Sequence, residues 1–433
     1  MLDIKLIRKN PNAVRDDLKK RGQTDKLQWL EDLLVQDRSY RELLADVEKL
    51  RARRNVISQD INLAKKAGRD LSHLFKEAKS IPEKIKQQEE QVQTAKQRVD
   101  HYLMRLPNIL HESVPVGQSD ENNKVVRQVG AKPKIKNPKD HVDLLQLLDA
   151  ADLERAAKIS GARFYFLKGD LALLHHAMLQ LAMSMLVKRK FTAMVPPMLM
   201  HRKQYEGVTD LADFENVMYK IENDDLYLSA TSEHPLVAMH GGEIFQPDQL
   251  PLRYAGISSC FRREAGAHGK DTKGIFRVHQ FDKVEQVGFC TPDKSWKMHE
   301  EFLKNLEDYW KALKIPYRVV NVCTGDIGTV AAKKYDLEAW MPSQGKYREM
   351  GSCSNCTSYQ ANRLGMRYRL TAGGEEKEAL HTVNSTMVAS PRAIVAILEN
   401  FQKSDGSVKI PSALLPFMHG KKEIVAPKTQ NKS

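Results

Sequence analysis

The sequence predicts an α+β protein: an antiparallel helical coiled-coil arm near the N-terminus, then a domain built on an antiparallel β-sheet flanked by helices. Three observations carry this expectation. A charged, nearly Gly-free stretch over 27–106 repeats apolar residues in alternating steps of three and four. Beyond it, short strand-like runs recur at hairpin spacing with helical patterns between them. Neither GxGxxG nor a Walker A lysine loop occurs, which argues against a Rossmann or P-loop nucleotide site.

The arm comes first. One seam runs Trp29, Leu33, Gln36, Tyr40, Leu43, Val47, Leu50, Arg54, Ile57, Ile61, Ala64; the other runs Leu71, Leu74, Ala78, Ile81, Ile85, Gln88, Val92, Ala95, Val99, Tyr102, Leu106. Between them Ala67-Gly68-Arg69-Asp70 supplies a glycine to end one helix and an aspartate to cap the next. Two matched seams joined by one turn imply an antiparallel hairpin, its second arm roughly 50 Å long. Pro82 removes a helix hydrogen bond inside that arm, so a kink, or a restart capped by Ser80, is expected there. Taken alone, such a hairpin reads as a dimerisation coiled coil. Arg51, Arg53, Arg54, Lys65, Lys66, Arg69, Lys76 and Lys79 gather toward its tip, which favours RNA phosphates over a protein partner.

Charge supports that choice. The 433 residues carry a net +13, and residues 1–110 hold 24 Lys and Arg against 17 Asp and Glu, over half of the excess. A polyanionic partner fits such a balance. The length allows two or three domains and a large core. No uninterrupted apolar run approaches 18 residues, and the charged N-terminus lacks a signal-peptide core, so no membrane partner is expected and the reading is cytoplasmic. Five scattered cysteines do not make a disulfide framework.

The N-terminal domain is expected over 1–110. Residues 111–140, rich in Pro, Asn, Lys and Gly, read as a linker, 141–425 as the second domain and 426–433 as a flexible tail. Within that domain a helix is expected over 171–190. Strand-like runs occur at 163–167, 226–230, 252–260, 277–287 and 317–322.

The chemistry concentrates in 261–285, FRREAGAHGKDTKGIFRVHQFDKVE. It reads as two strands joined by a long Gly- and Lys-rich loop. Arg262 and Arg277, the Phe281 ring, and the carboxylates Glu264 and Glu285 suit a nucleoside triphosphate and a small amine held together. This stretch resembles motif 2 of the class II aminoacyl-tRNA synthetases. Arg277-Val278-His279-Gln280-Phe281 with Lys283-x-Glu285 resembles the seryl-tRNA synthetases in particular. Further matches follow in order. The 171–190 helix and Phe191-Thr-Ala-Met-Val-Pro-Pro197 resemble motif 1, with Lys190 where a glycine is usual. Thr231-Ser232-Glu233 resembles the family's Thr-x-Glu signature, and Glu349-Met350-Gly351-Ser352-Cys-Ser-Asn, then Tyr359-Gln-Ala-Asn-Arg363, its Glu-x-x-Ser-x-Ser-Asn segment. Asn384-Ser385-Thr386 and Pro391-Arg392 stand in for motif 3 without its glycines, as in archaeal and eukaryotic members. Pro391 suits a helix start.

The resemblance implies a class II catalytic domain, activation of L-serine with ATP and Mg²⁺, and transfer to tRNA(Ser) by a homodimer; the family also serylates tRNA(Sec) where one exists. It implies Arg262, Glu264, Arg277 and Arg392 as catalytic residues. L-serine falls to Thr231, Ser232, Glu233, Arg262, Glu285, Asn384, Ser385 and Thr386. ATP falls to Arg262, Arg263, Glu264, Val278, Phe281, Glu349, Met350, Gly351, Ser352 and Arg392, with Glu349 and Ser352 as Mg²⁺ ligands. For tRNA it implies Arg51, Arg54, Lys65, Lys66, Arg69, Lys76 and Lys79. Glu285 also has a plainer reading, as a strand-surface carboxylate paired with Lys283. Cys353-x-x-Cys356 lacks a second ligand pair, so no zinc is expected. His175-His176 reads as structural. Two rivals share parts of this pattern: a ligase charging a carrier protein, which lacks such an arm, and an inactive RNA-binding paralogue, in which loss of Arg262, Glu264 or Arg392 is expected.

Overall fold

A computed structural model describes residues 1–211, 215–264 and 273–427, and the chain divides into two compact units, Met1–Pro107 and Asn108–Ser433. The interior of the loop after Glu264 and the end of the expected tail lie outside the described residues.

The first unit is helical. Short helices α1 (Ile4–Lys9) and α2 (Pro11–Lys20) precede the hairpin of α3 (Lys26–Lys66) and α4 (Ser72–Leu103). Asp3 and Asn10 cap the first two through the Lys5 and Ala13 N–H groups. α3 ends at Ala67, Gly68 turns the chain at φ +64°, and the Asp70 carboxylate accepts from the Ser72 N–H and hydroxyl. Ile57, Ile81 and Ile85 form the distal core, with Leu50, Ile61 and Ala78 against it.

The expected seam holds along both helices, with Leu33, Val47, Ala95, Val99 and Leu106 also buried, and departs at single positions. Leu30 and Leu103 are buried in place of their neighbours Trp29 and Tyr102, and Arg54, counted into the seam, is exposed. A helix of 3.6 residues per turn slides off a 3.5-residue repeat over a span this long. Pro82 corrects a second expectation: α4 runs through it unbroken. Pro82 is exposed, and the Ser80 hydroxyl donates to the Glu77 carbonyl instead of capping a restart.

The second unit is built on a sheet of eight described strands: β1 (Lys124–Val129), β2 (Thr192–Met194), β3 (Leu252–Phe261), β4 (Gln280–Cys290), β5 (Tyr317–Asn321), β6 (Lys333–Met341), β7 (Lys346–Thr357) and β8 (His381–Ala389). Their spatial order is β1-β5-β6-β7-β8-β4-β3-β2, antiparallel except between β2 and β3. β1 corrects the linker. Residues 124–129 pair with β5, so part of the stretch expected as a connection is an edge strand, and the unit begins at Asn108. The alternation Val125-Val126 is broken by a register shift there, which hid the strand from a period-2 search.

Helices α5 (Gly169–Lys188), α6 (Ser295–Leu313) and α7 (Ser390–Phe401) cover one face of the sheet. α5 is long and apolar enough to cross a membrane, but Leu171, Leu174, Ala177, Met178 and Ala182 are buried in the sheet core. After it, Lys190 takes φ +64°, the left-handed conformation that explains why a glycine is usual at this position.

β4 shows how the sheet serves the site. Val284, Gln286, Gly288 and Cys290 face the helices, while Phe281, Lys283 and Glu285 face the other side. Gln286 donates to the Phe302 carbonyl of α6 and accepts from Asn305. At Gly288 an added Cβ would come within 2.4 Å of the Met298 sulfur and 2.8 Å of the Phe302 ring, so only glycine lets α6 lie this close. Asp282 accepts from His175 of α5 (2.8 Å) and from Ser259, which gives His175 the structural place expected for it.

Candidate active site

The face of the sheet opposite the helices carries a cleft of about 320 Å³. Its walls are Arg262, Glu264, Phe276, Arg277, Val278, Phe281 and Lys283 from the β3–β4 hairpin, residues 349–352 of β7, Thr386 of β8, and Pro391 with Arg392 at the start of α7. Segments expected from separate motifs therefore converge.

The arginines are held before any ligand arrives. Arg262 Nε donates to the Ala230 carbonyl at 3.1 Å, and its guanidinium lies 5.4 Å from the Phe281 ring centre. Arg277 lies 3.8 Å from the Glu264 carboxylate. Arg392 donates to the Glu349 carbonyl (3.1 Å), sits 3.3 Å from its carboxylate, and rests over the Phe276 ring, with Arg348 over the same ring. The Arg392 charge holds the Glu349 carboxyl below its ordinary pKa, against the opposing effect of burial.

Glu349 and Ser352 stand three apart on a strand, a spacing that normally puts two side chains on opposite faces. A register shift between β6 and β7 at Leu337/Glu338 leaves Met350 as an extra residue, and both side chains reach the cleft. An ionised carboxylate and a hydroxyl are hard oxygen donors and fit Mg²⁺.

At the deep end lies a buried charge group. Lys283 Nζ is 2.5 Å from Glu285 Oε2 and donates to the Thr231 hydroxyl at 3.0 Å; Lys283 and Glu285 are 7% and 1% exposed. Oε2 is occupied by this ion pair, and as a carboxylate oxygen it has a second lone pair with which it can accept one more hydrogen bond. Burial pushes the Glu285 carboxyl above its usual pKa, against the pull of Lys283. Glu285 pairs with Lys283 as its plainer reading expects, but the pair is buried rather than on the strand surface; Lys283 and Thr386 line the cleft, while Glu285, Thr231, Glu233 and Asn384 lie behind that lining. Glu233 accepts from Asn384 (3.1 Å) and Gln360 (3.3 Å). Gln360 is fixed by Thr382 and by its own donation to the Val208 carbonyl. Burial, then the neighbouring Glu285, raise the Glu233 pKa to about 7.

Some expected residues stand apart. Ser385 points to the helix side, across from Cys353, and donates to the Thr386 carbonyl. Ser232 is buried at the start of the helix Glu233–Ala238, and Arg263 contributes its backbone N–H to the Val217 carbonyl; neither lines the cleft. Cys353 packs in the helix-side core and Cys356 accepts from Asn384, so the two thiols face opposite sides; burial raises both pKa values. On the arm, Arg51 pairs with Glu48 and Glu89 and Arg53 with Glu77, whereas Arg54, Lys65, Lys66, Arg69, Lys76 and Lys79 are exposed. Lys283, Phe276, Arg348 and Gln360 were not expected as site residues. Period 2 alone puts Lys283 between Phe281 and Glu285 on one face; no sequence signal marks the other three.

Replacing Lys283 with methionine leaves Glu285 buried without its cation, a loss of about 3–5 kcal/mol at pH 8. Because the folded-state pKa of Glu285 is raised, the deficit shrinks as pH falls and the carboxyl takes a proton. Urea unfolding of K283M at pH 8 and pH 5 checks this, and Glu285→Gln in the same background restores stability at pH 8.

Residues 1–110 match the seryl-tRNA synthetase N-terminal domain, and residues 216–401 the class II tRNA synthetase core domain of the G, H, P, S and T enzymes. The serine–tRNA ligase of Methanospirillum hungatei is 56% identical, covering 97% of this chain and 99% of its own. Seryl-tRNA synthetase from Pyrococcus horikoshii, solved in complex with ATP, superimposes with a TM-score of 0.94 at 47% identity over 99% of this chain and 100% of its own. The cytoplasmic serine–tRNA ligase of Naegleria fowleri, solved with AMP, gives 0.87 at 37% over 98% and 99%.

Proposed function

The chain belongs to the seryl-tRNA synthetases and is a serine–tRNA ligase of class II, and from that premise we propose how its residues divide the work. The deep charge group binds L-serine: Glu233 and Thr231 take the ammonium, and Glu285, with Thr386 and Asn384 beside it, takes the hydroxyl. The outer cleft binds ATP. Phe281 and Arg392 enclose the adenine, Glu264 and the Val278 backbone read its edge, and Arg277 and Arg392 hold the phosphate tail. The relatives from Pyrococcus and Naegleria, solved with ATP and with AMP, support an adenine nucleotide as the ligand. The observation that carries the division is the single strand face on which Phe281, Lys283 and Glu285 follow one another from open cleft to buried pair.

Arg262 stands between the two halves. Its fork bridges the serine carboxylate and the α-phosphate, two oxyanions that repel unless a cation lies between them. A carboxylate oxygen attacks the α-phosphorus, the bond to the bridging oxygen of the β-phosphate breaks, and pyrophosphate leaves with that electron pair. The terminal ribose hydroxyl of tRNA then attacks the acyl carbon, and AMP leaves. Positioning and charge stabilisation dominate both steps. Glu349 and Ser352 would hold Mg²⁺, which would supply charge neutralisation on the phosphates. The exposed basic residues near the arm tip bind tRNA(Ser) through its backbone. Val187, Val195, Met198 and Leu199, all exposed around the motif 1 strand, support a homodimer through that face, in the cytoplasm.

Purified protein is expected to attach labelled serine to bulk tRNA. Changing Lys65, Lys66 and Arg69 to glutamate raises the KM for tRNA about tenfold or more, while serine-dependent ATP–pyrophosphate exchange stays intact; equal loss of both contradicts the division. Glu233 must be ionised to hold an ammonium, and its raised pKa places that change near pH 7. The serine KM in exchange therefore rises as pH falls below about 7, and Glu233→Gln abolishes this dependence.

A further inference from the structure

His279 lies in the hairpin that carries Arg262, Glu264 and Arg277, yet no role above uses its imidazole. Three segments meet on it. The Tyr219 hydroxyl is 2.5 Å from Nδ1. The Phe164 ring stacks on the imidazole at 5.1 Å between centres and 8° between planes. The backbone joins in: the His279 N–H donates to the Arg163 carbonyl (3.1 Å), and its own carbonyl accepts from the Arg262 N–H (2.9 Å).

The same segments touch the other side of the hairpin base. Arg163 Nη1 donates to the Glu264 carbonyl at 3.0 Å, and the Arg263 N–H donates to the Val217 carbonyl at 2.8 Å. Thus the chain entering the loop (262–264) and the chain leaving it (277–279) are both tied to 163–164 and 217–219. Tyr219 is itself anchored, its carbonyl accepting from Leu228 N–H at 2.9 Å in the strand that leads to Thr231 and Glu233. Burial, then the Arg163 charge, lower the His279 pKa, which favours the neutral ring; in its Nε2–H tautomer Nδ1 accepts a hydrogen bond from the Tyr219 hydroxyl.

We infer that His279 is a positioning residue: through Tyr219 and Phe164 its ring fixes the returning arm of the ATP-gripping hairpin to the segment that leads to the serine site, and so sets where Arg277 stands. This rests on the ATP role proposed for that arginine. Serine binding is anchored separately, by Gln360 and Asn384 on Glu233 and by the Ala230 carbonyl on the Arg262 side chain. The defect of a His279 variant therefore falls on ATP.

The test is serine-dependent ATP–pyrophosphate exchange by the full chain, with ATP and serine varied separately. His279→Ala lowers kcat/KM for ATP roughly 10- to 100-fold, the scale of a small misplacement of reacting groups, with the serine KM within about twofold of wild type. His279→Asn, which keeps an acceptor near the Nδ1 position, recovers most of the loss. Tyr219→Phe gives a smaller loss of the same kind, and adding it to His279→Ala costs nothing further, because both remove one contact. Folded variants with wild-type ATP kinetics overturn the inference, as does a loss shared equally by serine and ATP or one that adds across the double variant. If His279→Ala does not fold, Tyr219→Phe and Phe164→Leu decide by the same criteria. Wild-type protein without exchange overturns the site reading and this inference with it; wild-type exchange with insensitive variants overturns this inference alone.

Discussion

The two-sided character of β4 is the constraint on which the site depends. A strand must alternate, so each residue that faces substrate is flanked by residues locked to the helices. Asp282 is tied to α5 and Gln286 to α6, and Gly288 brings α6 close. Phe281, Lys283 and Glu285 inherit rigidity from these neighbours on the same strand. A flexible loop could offer the same side chains, but each would lose freedom on meeting the ligand, and the order now built into the fold would come out of binding energy.

The second condition is electrostatic. Burial raises the pKa of both Glu233 and Glu285, and the Glu285 charge raises Glu233 further. Lys283, with Arg262 farther off, offsets the pair. In the proposed serine site the substrate ammonium adds a further cation beside Glu233. Toward the mouth the balance reverses, with Arg262, Arg277 and Arg392 awaiting a polyanion. Arg262, held by the Ala230 carbonyl and set against Phe281, stands where the two halves meet.

Much of this was legible in the residues. The helical seams and the hairpin turn follow from period and glycine placement, and the strands carrying Arg262 and Glu285 from alternation around a loop. What stayed hidden has physical reasons. The edge strand β1 and the Glu349–Ser352 pair both depend on register shifts, which break the period that a sequence search uses. Pro82 looked like a break because sequence does not say which side of a helix meets water. Lys283 sat on the right face but reads as a surface charge until the segments carrying Thr231 and Thr386 are folded over it. Ser385 was taken with its neighbours although alternation turns it away. His279 lay inside a recognised motif, and only the approach of 163–164 and 217–219, distant in sequence, shows what its ring touches.

The most direct test of the buried group is activation of alanine against serine by the wild-type enzyme in ATP–pyrophosphate exchange. Alanine lacks the hydroxyl and leaves Glu285 Oε2 without the partner it is placed to receive. The account predicts that kcat/KM for alanine is lower by about 10⁴ or more, the scale set by a buried polar group left unpaired. Alanine activated within about tenfold of serine would contradict it, and would return Glu285 to the role of a structural partner for Lys283.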